Sequence, residues 1–412
     1  MRNLMSFVKL SLVIALIPSH LGAGAEKRKR TERQTPLVYI NTLFDNGSPL
    51  HWDIQPDGTI LISLMYDHER SSFNRAAGHW HFQVLAEAGS DLTLVLQNFY
   101  NIWNGMPAQA AKDNTSCYIS QDGHNWISIP TEKIEDERLR IKVHMESDSL
   151  YLARLEPYRV SDLEQLLDTI RDDPLVNIDE IGKTVEGRPL EIVRLGHVNA
   201  PHRVFIRARA HAWEPGGNWV IQGLIYHALR NDRKSRRLLD TYCLYILPMA
   251  NKDRVARGGT RFNMRGMDLN RKWDKPADPD LAPENAALEA WLDEMIKRGL
   301  KPHLAIDFHN DGGGNLHIAR PSINLEPYLV NMERFEQLLR KHTWFTEGST
   351  GSNFRNPGSI GGGLLERFGI DAVVYELNAN WIEGLQKVPL GRDWELLGRQ
   401  LHNVFYEYFN RD

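Results

Sequence analysis

Near residue 160 the periodicity of this chain changes, and that change most limits what it can fold into. From there on, short apolar segments alternate with longer amphipathic ones. Residues 190–195, 203–208, 242–247, 304–308 and 372–375 read as strands, and 219–230, 283–298 and 331–339 as helices. Such alternation predicts an α/β layer structure, with helices on both faces of a mixed, mostly parallel sheet. Ser161 and Glu164 have capping-box spacing, which places the start of a first helix there, over 163–170. In open α/β sheets ligands bind outside the carboxyl ends of the strands. The polar clusters of this chain fall at those ends.

The residues in front have a different period. Asn46-Gly47, Asp57-Gly58 and Asp122-Gly123 are turn signals, and 79–84 and 93–98 alternate like half-buried strands. Short strands at this spacing, with no helical pattern between them, predict a β-sandwich. The expected organisation is therefore an all-β domain over 36–157 and a second domain over 158–412. His79 and His81 share a strand face and read as packed side chains. Cys117 and Cys243 fall in different domains, and Cys243 sits in an apolar strand, so both are expected to be buried free thiols.

The first 25 residues read as an export signal: Arg2 and Lys9, an apolar run over 10–17, then Ala23-Gly24-Ala25. Residues 26–35 read as a charged, solvated tail. This predicts an exported protein, periplasmic or secreted. No later segment is apolar enough to span a bilayer. The net charge of -4 offers no basic excess for nucleic acid.

Four clusters carry chemistry. His211 and Glu214 follow a strand and precede Pro215-Gly216-Gly217. A His and a Glu at this spacing can hold one metal ion, and catalytic zinc takes three protein ligands with one position open. His309, ending a second strand in Asp307-Phe308-His309-Asn310-Asp311, supplies a third ligand. Its outward ring nitrogen would need a carboxylate, from Asp307 or Asp311. Glu376 closes the apolar run Val373-Val374-Tyr375, where burial raises a carboxyl pKa towards the range of a general base. The fourth cluster, 251–273, holds five arginines: Arg254, Arg257, Arg261, Arg265 and Arg271. Most of these read as a solvated basic loop.

Taken in order, these segments resemble the zinc metallocarboxypeptidase family. The shared pattern is H-x-x-E, then Asn-Arg within Asp268-Leu269-Asn270-Arg271, then a lone His, then a late Glu. The β-rich front and the spacing of 251–273 resemble the cytosolic carboxypeptidase-like subfamily. The resemblance covers about 36–410 and implies a carboxypeptidase-type α/β/α layer holding one zinc ion. By position it implies His211, Glu214 and His309 as metal ligands and Glu376 as general base. It implies Arg261 as the donor to the scissile carbonyl oxygen, and Asn270 with Arg271 as the clamp on a substrate carboxylate. Two departures stand out. Asn251-Lys252-Asp253-Arg254 replaces the family's Asn-Pro-Asp-Gly. Residues 351–370 hold no tyrosine, only Phe354 and Phe368, and Gly358 to Gly363 reads as an open loop.

The expected function is removal of C-terminal residues from peptides that carry a free carboxylate. Two rivals share the sequence. One is a zinc amidohydrolase of the same fold acting on acylated amino acids or cell-wall peptides. The other is a non-catalytic binding protein.

Overall fold

The computed structural model describes residues 35–67, 75–103, 105–111, 114–230, 232–321, 325–353, 355–356 and 358–410. The expected export signal, the tail through residue 34 and Phe354 lie outside the described residues. No helix among the described residues is long and apolar enough to cross a membrane.

The front of the chain is a sandwich of two five-stranded sheets. One runs Leu37–Asn41, His81–Ala86, Ser149–Ala153, Ser116–Ser120, Ile127–Pro130. The other runs Glu132–Ile134, Arg138–His144, Asp91–Gln97, Ile60–Leu64, Leu50–Ile54. Alternation puts Ile60, Ile62 and Leu64 beside Leu94 and Leu96 of the neighbouring strand, in one buried core with Phe82 and Val84 of the other sheet. His79 and His81 are buried, and His81 Nδ1 lies 3.1 Å from Asn46 Oδ1, so both are packed as expected. Cys117 and Cys243 are free and buried. A small hairpin, Tyr100–Trp103 with Met106–Gln109, belongs to neither sheet.

The second part is built on a seven-stranded sheet. Its order is Val176–Lys183, Pro189–Leu195, Tyr242–Leu247, His202–Ala208, Leu304–Asp311, Asp371–Asn378, Asn315–Ile318. The four inner strands from Tyr242–Leu247 to Asp371–Asn378 run parallel, and the outer ones pair antiparallel. Every residue of Tyr242–Leu247 is buried. An inner strand covered on both faces needs such a continuous apolar run, because neither face meets water.

Helices Gly216–Ala228 and Gly391–Phe409 cross on one face at two glycines. A Cβ on Gly398 would lie 2.0 Å from the carbonyl oxygen of Val220, and one on Gly223 would lie 2.1 Å from that of Glu395. Gly398→Ala is therefore expected to destabilise the protein by about 1–3 kcal/mol, although alanine is the better helix former. Chemical unfolding of the two proteins measures this.

Three local expectations are corrected. The first helix spans Val160–Ile170 and is capped two residues earlier than Ser161-x-x-Glu164 suggested, at Arg159. Asp162 accepts from the Arg159 backbone N–H at 2.7 Å, while Ser161 gives its N–H and hydroxyl to Asp45. Gly361, Gly362 and Gly363 are not an open loop but lie within the helix Ile360–Phe368. A Cβ on Gly363 would meet the Trp273 backbone at 2.5 Å, so this glycine serves close packing. Arg254 is not solvated: it is buried and donates to the carbonyls of Phe262 and Asn263.

The sandwich and the α/β part share one core. Tyr118, Trp126 and Ala153 pack in the same cluster as Val220, Trp394 and Leu397. Glu156 accepts from the Gly391 N–H at 2.7 Å.

Candidate active site

Sheet register builds the site. His309 and Glu376 are direct partners on adjacent parallel strands, as are Arg207 and Asp307. Side chains two apart on a strand share a face, so Asp307 and His309 project together. The strand His202–Ala208 ends at Arg209, whose φ of 62° is a left-handed conformation rare for a side chain of this size. Its guanidinium is buried and donates to Ala212 O at 2.7 Å and to Asn218 Oδ1 at 3.0 Å. That turn carries His211 and Glu214 over the carboxyl end of the sheet. Burial pushes the Arg209 guanidinium down to about 9.

His211, Glu214 and His309 converge, with one ligand atom from each within 4.8 Å of the others. The two Nδ1 atoms lie 3.1 Å apart. Glu214 Oε1 lies 2.9 Å from His211 Nδ1, and Oε2 lies 2.8 Å from His309 Nδ1. The opposite nitrogens each face a carboxylate. His211 Nε2 lies 3.0 Å from Asp268 Oδ1, and His309 Nε2 lies 2.6 Å from Asp307 Oδ2. A carboxylate on Nε2 keeps the proton there and leaves the Nδ1 lone pair for a cation. Two imidazoles and a carboxylate aimed at one point fit a zinc ion with an open position. Asp307 is held in turn by Arg207 through two bonds of 2.7 Å.

The electrostatics match. Burial alone would raise Glu214, but His211 and His309 hold it down at about 2. Burial alone would lower His309, but Asp307 and Glu214 raise it well above its ordinary value. Glu376 goes the other way. Burial raises it to about 8, Glu214 and Asp311 add to the rise, and His309 and Arg261 oppose it. Its Oε2 is buried without a hydrogen-bond partner, and its Oε1 lies 3.9 Å from His317 Nε2. No arginine neutralises it structurally among the described residues.

His211, Glu214 and Glu376 line a cavity of about 170 Å3 that also takes in Arg261, Asn270 and Arg271. Arg261 donates through Nε to Asp268 Oδ2 at 3.0 Å, and its Nη2 lies 2.9 Å from the same oxygen. Asn270 is more constrained than expected. Its Oδ1 accepts from Ile360 N–H at 2.9 Å, and its Nδ2 lies 3.3 Å from His309 Nε2. Arg271 is partly buried and donates to Asn270 O at 2.8 Å. In the replaced Asn251-Lys252-Asp253-Arg254 segment, Asn251 donates to Ala210 O and Arg261 O, and Lys252 pairs with Glu191. The segment therefore still holds the arginine loop without the proline or glycine.

Several site residues escaped the sequence reading. Asp268 joins His211 to Arg261, and only its place beside Asn270-Arg271 hinted at a role. Trp103, Ala110 and Arg154 come from the sandwich domain and line the cavity. The Arg154 guanidinium lies 3.6 Å from the centre of the Trp213 ring. A second cavity of about 380 Å3, lined by His317, Arg320, Arg355 and Glu366, adjoins the first at Asn356.

The family model described as zinc carboxypeptidase matches residues 163–296. The one described as cytosolic carboxypeptidase N-terminal domain matches residues 40–155. An uncharacterized protein of Zymomonas mobilis is 25 % identical over 275 residues, 66 % of this chain and 68 % of that protein. Human cytosolic carboxypeptidase 1 is 33 % identical over 111 residues, 27 % of this chain and only 9 % of the human protein. A crystal structure of a metallo-carboxypeptidase from Burkholderia cenocepacia superposes with a TM-score of 0.76 at 23 % identity, covering 90 % of this chain and 98 % of that one. At that identity the superposition speaks for the fold.

Proposed function

This chain carries a zinc carboxypeptidase domain behind a cytosolic carboxypeptidase N-terminal domain, and on that premise we propose that it removes C-terminal residues from peptides, with one zinc ion held by His211, Glu214 and His309. The observation that supports this most is the placing of Glu376. A carboxyl with one buried oxygen that has no hydrogen-bond partner among the described residues sits directly across the strand pair from a ligand histidine, in a cavity that three arginines line.

When bound, zinc acidifies water to a pKa of about 7 and polarises a carbonyl. The rest falls to the chain. Glu376 takes the proton of the attacking water and passes it to the leaving amine. Arg261 donates to the carbonyl oxygen as negative charge develops there, and one such donor contributes about 3–4 kcal/mol. Arg271 pairs with the terminal carboxylate of the substrate. Asn270, oriented by Ile360, borders the same position.

The test is a peptide library varied at its last residue, with and without chelator, read by mass. Loss of single C-terminal residues is expected, blocked by C-terminal amidation and by the chelator. Cleavage restricted to acylated amino acids or cell-wall peptides would move the chain to the amidohydrolase reading. No cleavage of either class by zinc-loaded protein would leave the binding reading.

A further inference from the structure

The front domain reaches into the catalytic loop at two points. Asp67, at the end of the sandwich strand region, accepts three successive backbone N–H groups: Thr260 at 2.7 Å, Arg261 at 2.5 Å and Phe262 at 3.1 Å. A carboxylate bridging three amides sets the backbone direction at Arg261. From the separate hairpin, the Trp103 ring lies against the Arg261 guanidinium, with its centre 4.8 Å from Cζ. Trp103 also forms part of the cavity wall. Its indole N–H is buried with no hydrogen-bond partner among the described residues. The ring is therefore held by its faces, and desolvating that polar group brings no hydrogen bond in return.

Arg261 is thus enclosed on three sides: Asp67 at its backbone, Asp268 at its Nε, and the Trp103 ring against its guanidinium. Trp103 and Asp67 belong to the front domain, and Asp268 to the α/β part. An arginine face on an indole is a favourable cation–π arrangement, strengthened where water is excluded. A long flexible side chain must be pre-set if it is to meet a developing charge without reorganisation.

We propose that the N-terminal sandwich positions Arg261 for catalysis, through Asp67 and Trp103. This rests on the carboxypeptidase reading above, in which Arg261 acts on the carbonyl oxygen. Asp67 and Trp103 are positioning residues, since they act through the arginine. The domain is on this account a working part of the active site as well as a cover for it.

The experiment uses the full, zinc-loaded chain and the variants Asp67→Asn, Trp103→Ala, Trp103→Phe and Arg261→Ala. Trp103→Ala and Asp67→Asn are expected to lower kcat at least about tenfold with KM moved much less, because a misplaced donor weakens the transition state more than the bound substrate. Trp103→Phe, which keeps an aromatic face, recovers most of the loss. In an Arg261→Ala background, Trp103→Ala should cost nothing further. Zinc content and thermal unfolding identify any variant that has merely misfolded. The Arg261 Nε–H resonance, assigned through Arg261→Lys, gives a readout free of activity: it should shift in Trp103→Ala and hold in Trp103→Phe. Additive losses in the double variant, or an unmoved resonance and unmoved kcat in a folded Trp103→Ala, would overturn the proposal. If Arg261→Ala itself keeps the wild-type rate, the catalytic reading of Arg261 is what fails. The resonance still reports whether the sandwich holds it.

Discussion

Glu376→Gln is expected to lower kcat by about 10²–10⁴-fold, the range that a positioned general base contributes, while zinc stays bound. The amide keeps the size and burial of the carboxyl but cannot accept a proton. Among the described residues the wild-type group has a buried oxygen without a hydrogen-bond partner and no arginine at salt-bridge distance, and burial raises it from 4.5 to about 8. A divalent cation alongside pulls that value back down, because positive charge favours the ionised carboxylate. Activity requires the ionised form, so kcat/KM should rise with pH through the pKa of Glu376 and lose that acid limb in the variant. The stability sign runs opposite. A carboxyl raised in the folded state favours folding when it is protonated. That contribution is full below 4.5 and is lost as pH rises through about 8. At pH 8 the metal-free Gln variant should therefore unfold no earlier than wild type. A variant that lost zinc together with activity would show that Glu376 supports the ligand set.

His309→Ala is expected to weaken zinc binding by more than about 100-fold, since loss of a mere outer partner of a ligand histidine already costs 10–100-fold. Peptide cleavage should vanish with the metal. The substitution also leaves Glu214 and Asp307 without the imidazole that both now face, so a lower melting temperature is expected too. Competition with a chromophoric chelator measures the affinity, and its pH dependence adds a second check. In the metal-free site Asp307 and Glu214 hold a proton on His309 against the effect of burial. Zinc must displace that proton, so affinity should fall about tenfold per pH unit below the titration of the site. Zinc affinity independent of pH would place the metal on other ligands.

Much of this was legible in the chain because the signals are local. The apolar run 242–247 is an inner strand over those same residues, since six consecutive buried side chains admit little else. The expected strand 304–308 is present but runs on to Asp311, carrying His309 within the sheet. Polar residues in a strand are harder to foresee, because a backbone ladder can hold them where a partner waits. The edge strand Asn315–Ile318 and the helix Gly391–Phe409 went unread for a related reason. Each is specified by what it packs against more than by its own period. Gly363 misled because its purpose, room for Trp273, lies about ninety residues away.

Residue chemistry and periodicity by themselves determined the two-part architecture, the metal-ligand candidates His211, Glu214 and His309, and the isolated carboxyl of Glu376. Each of these is written in a short stretch of side chains. Only tertiary structure decided that Asp268 orients His211, that Asp307 and not Asp311 meets the outward nitrogen of His309, that Arg207 backs Asp307, and that Asp67 and Trp103 reach the arginine loop from another domain. Except for Asp307 and His309, which are neighbours on one strand, those contacts join residues about 60 to 190 positions apart. A carboxylate or an indole has no local feature that names its partner. Sheet register and the packing of the sandwich against the catalytic layer select it.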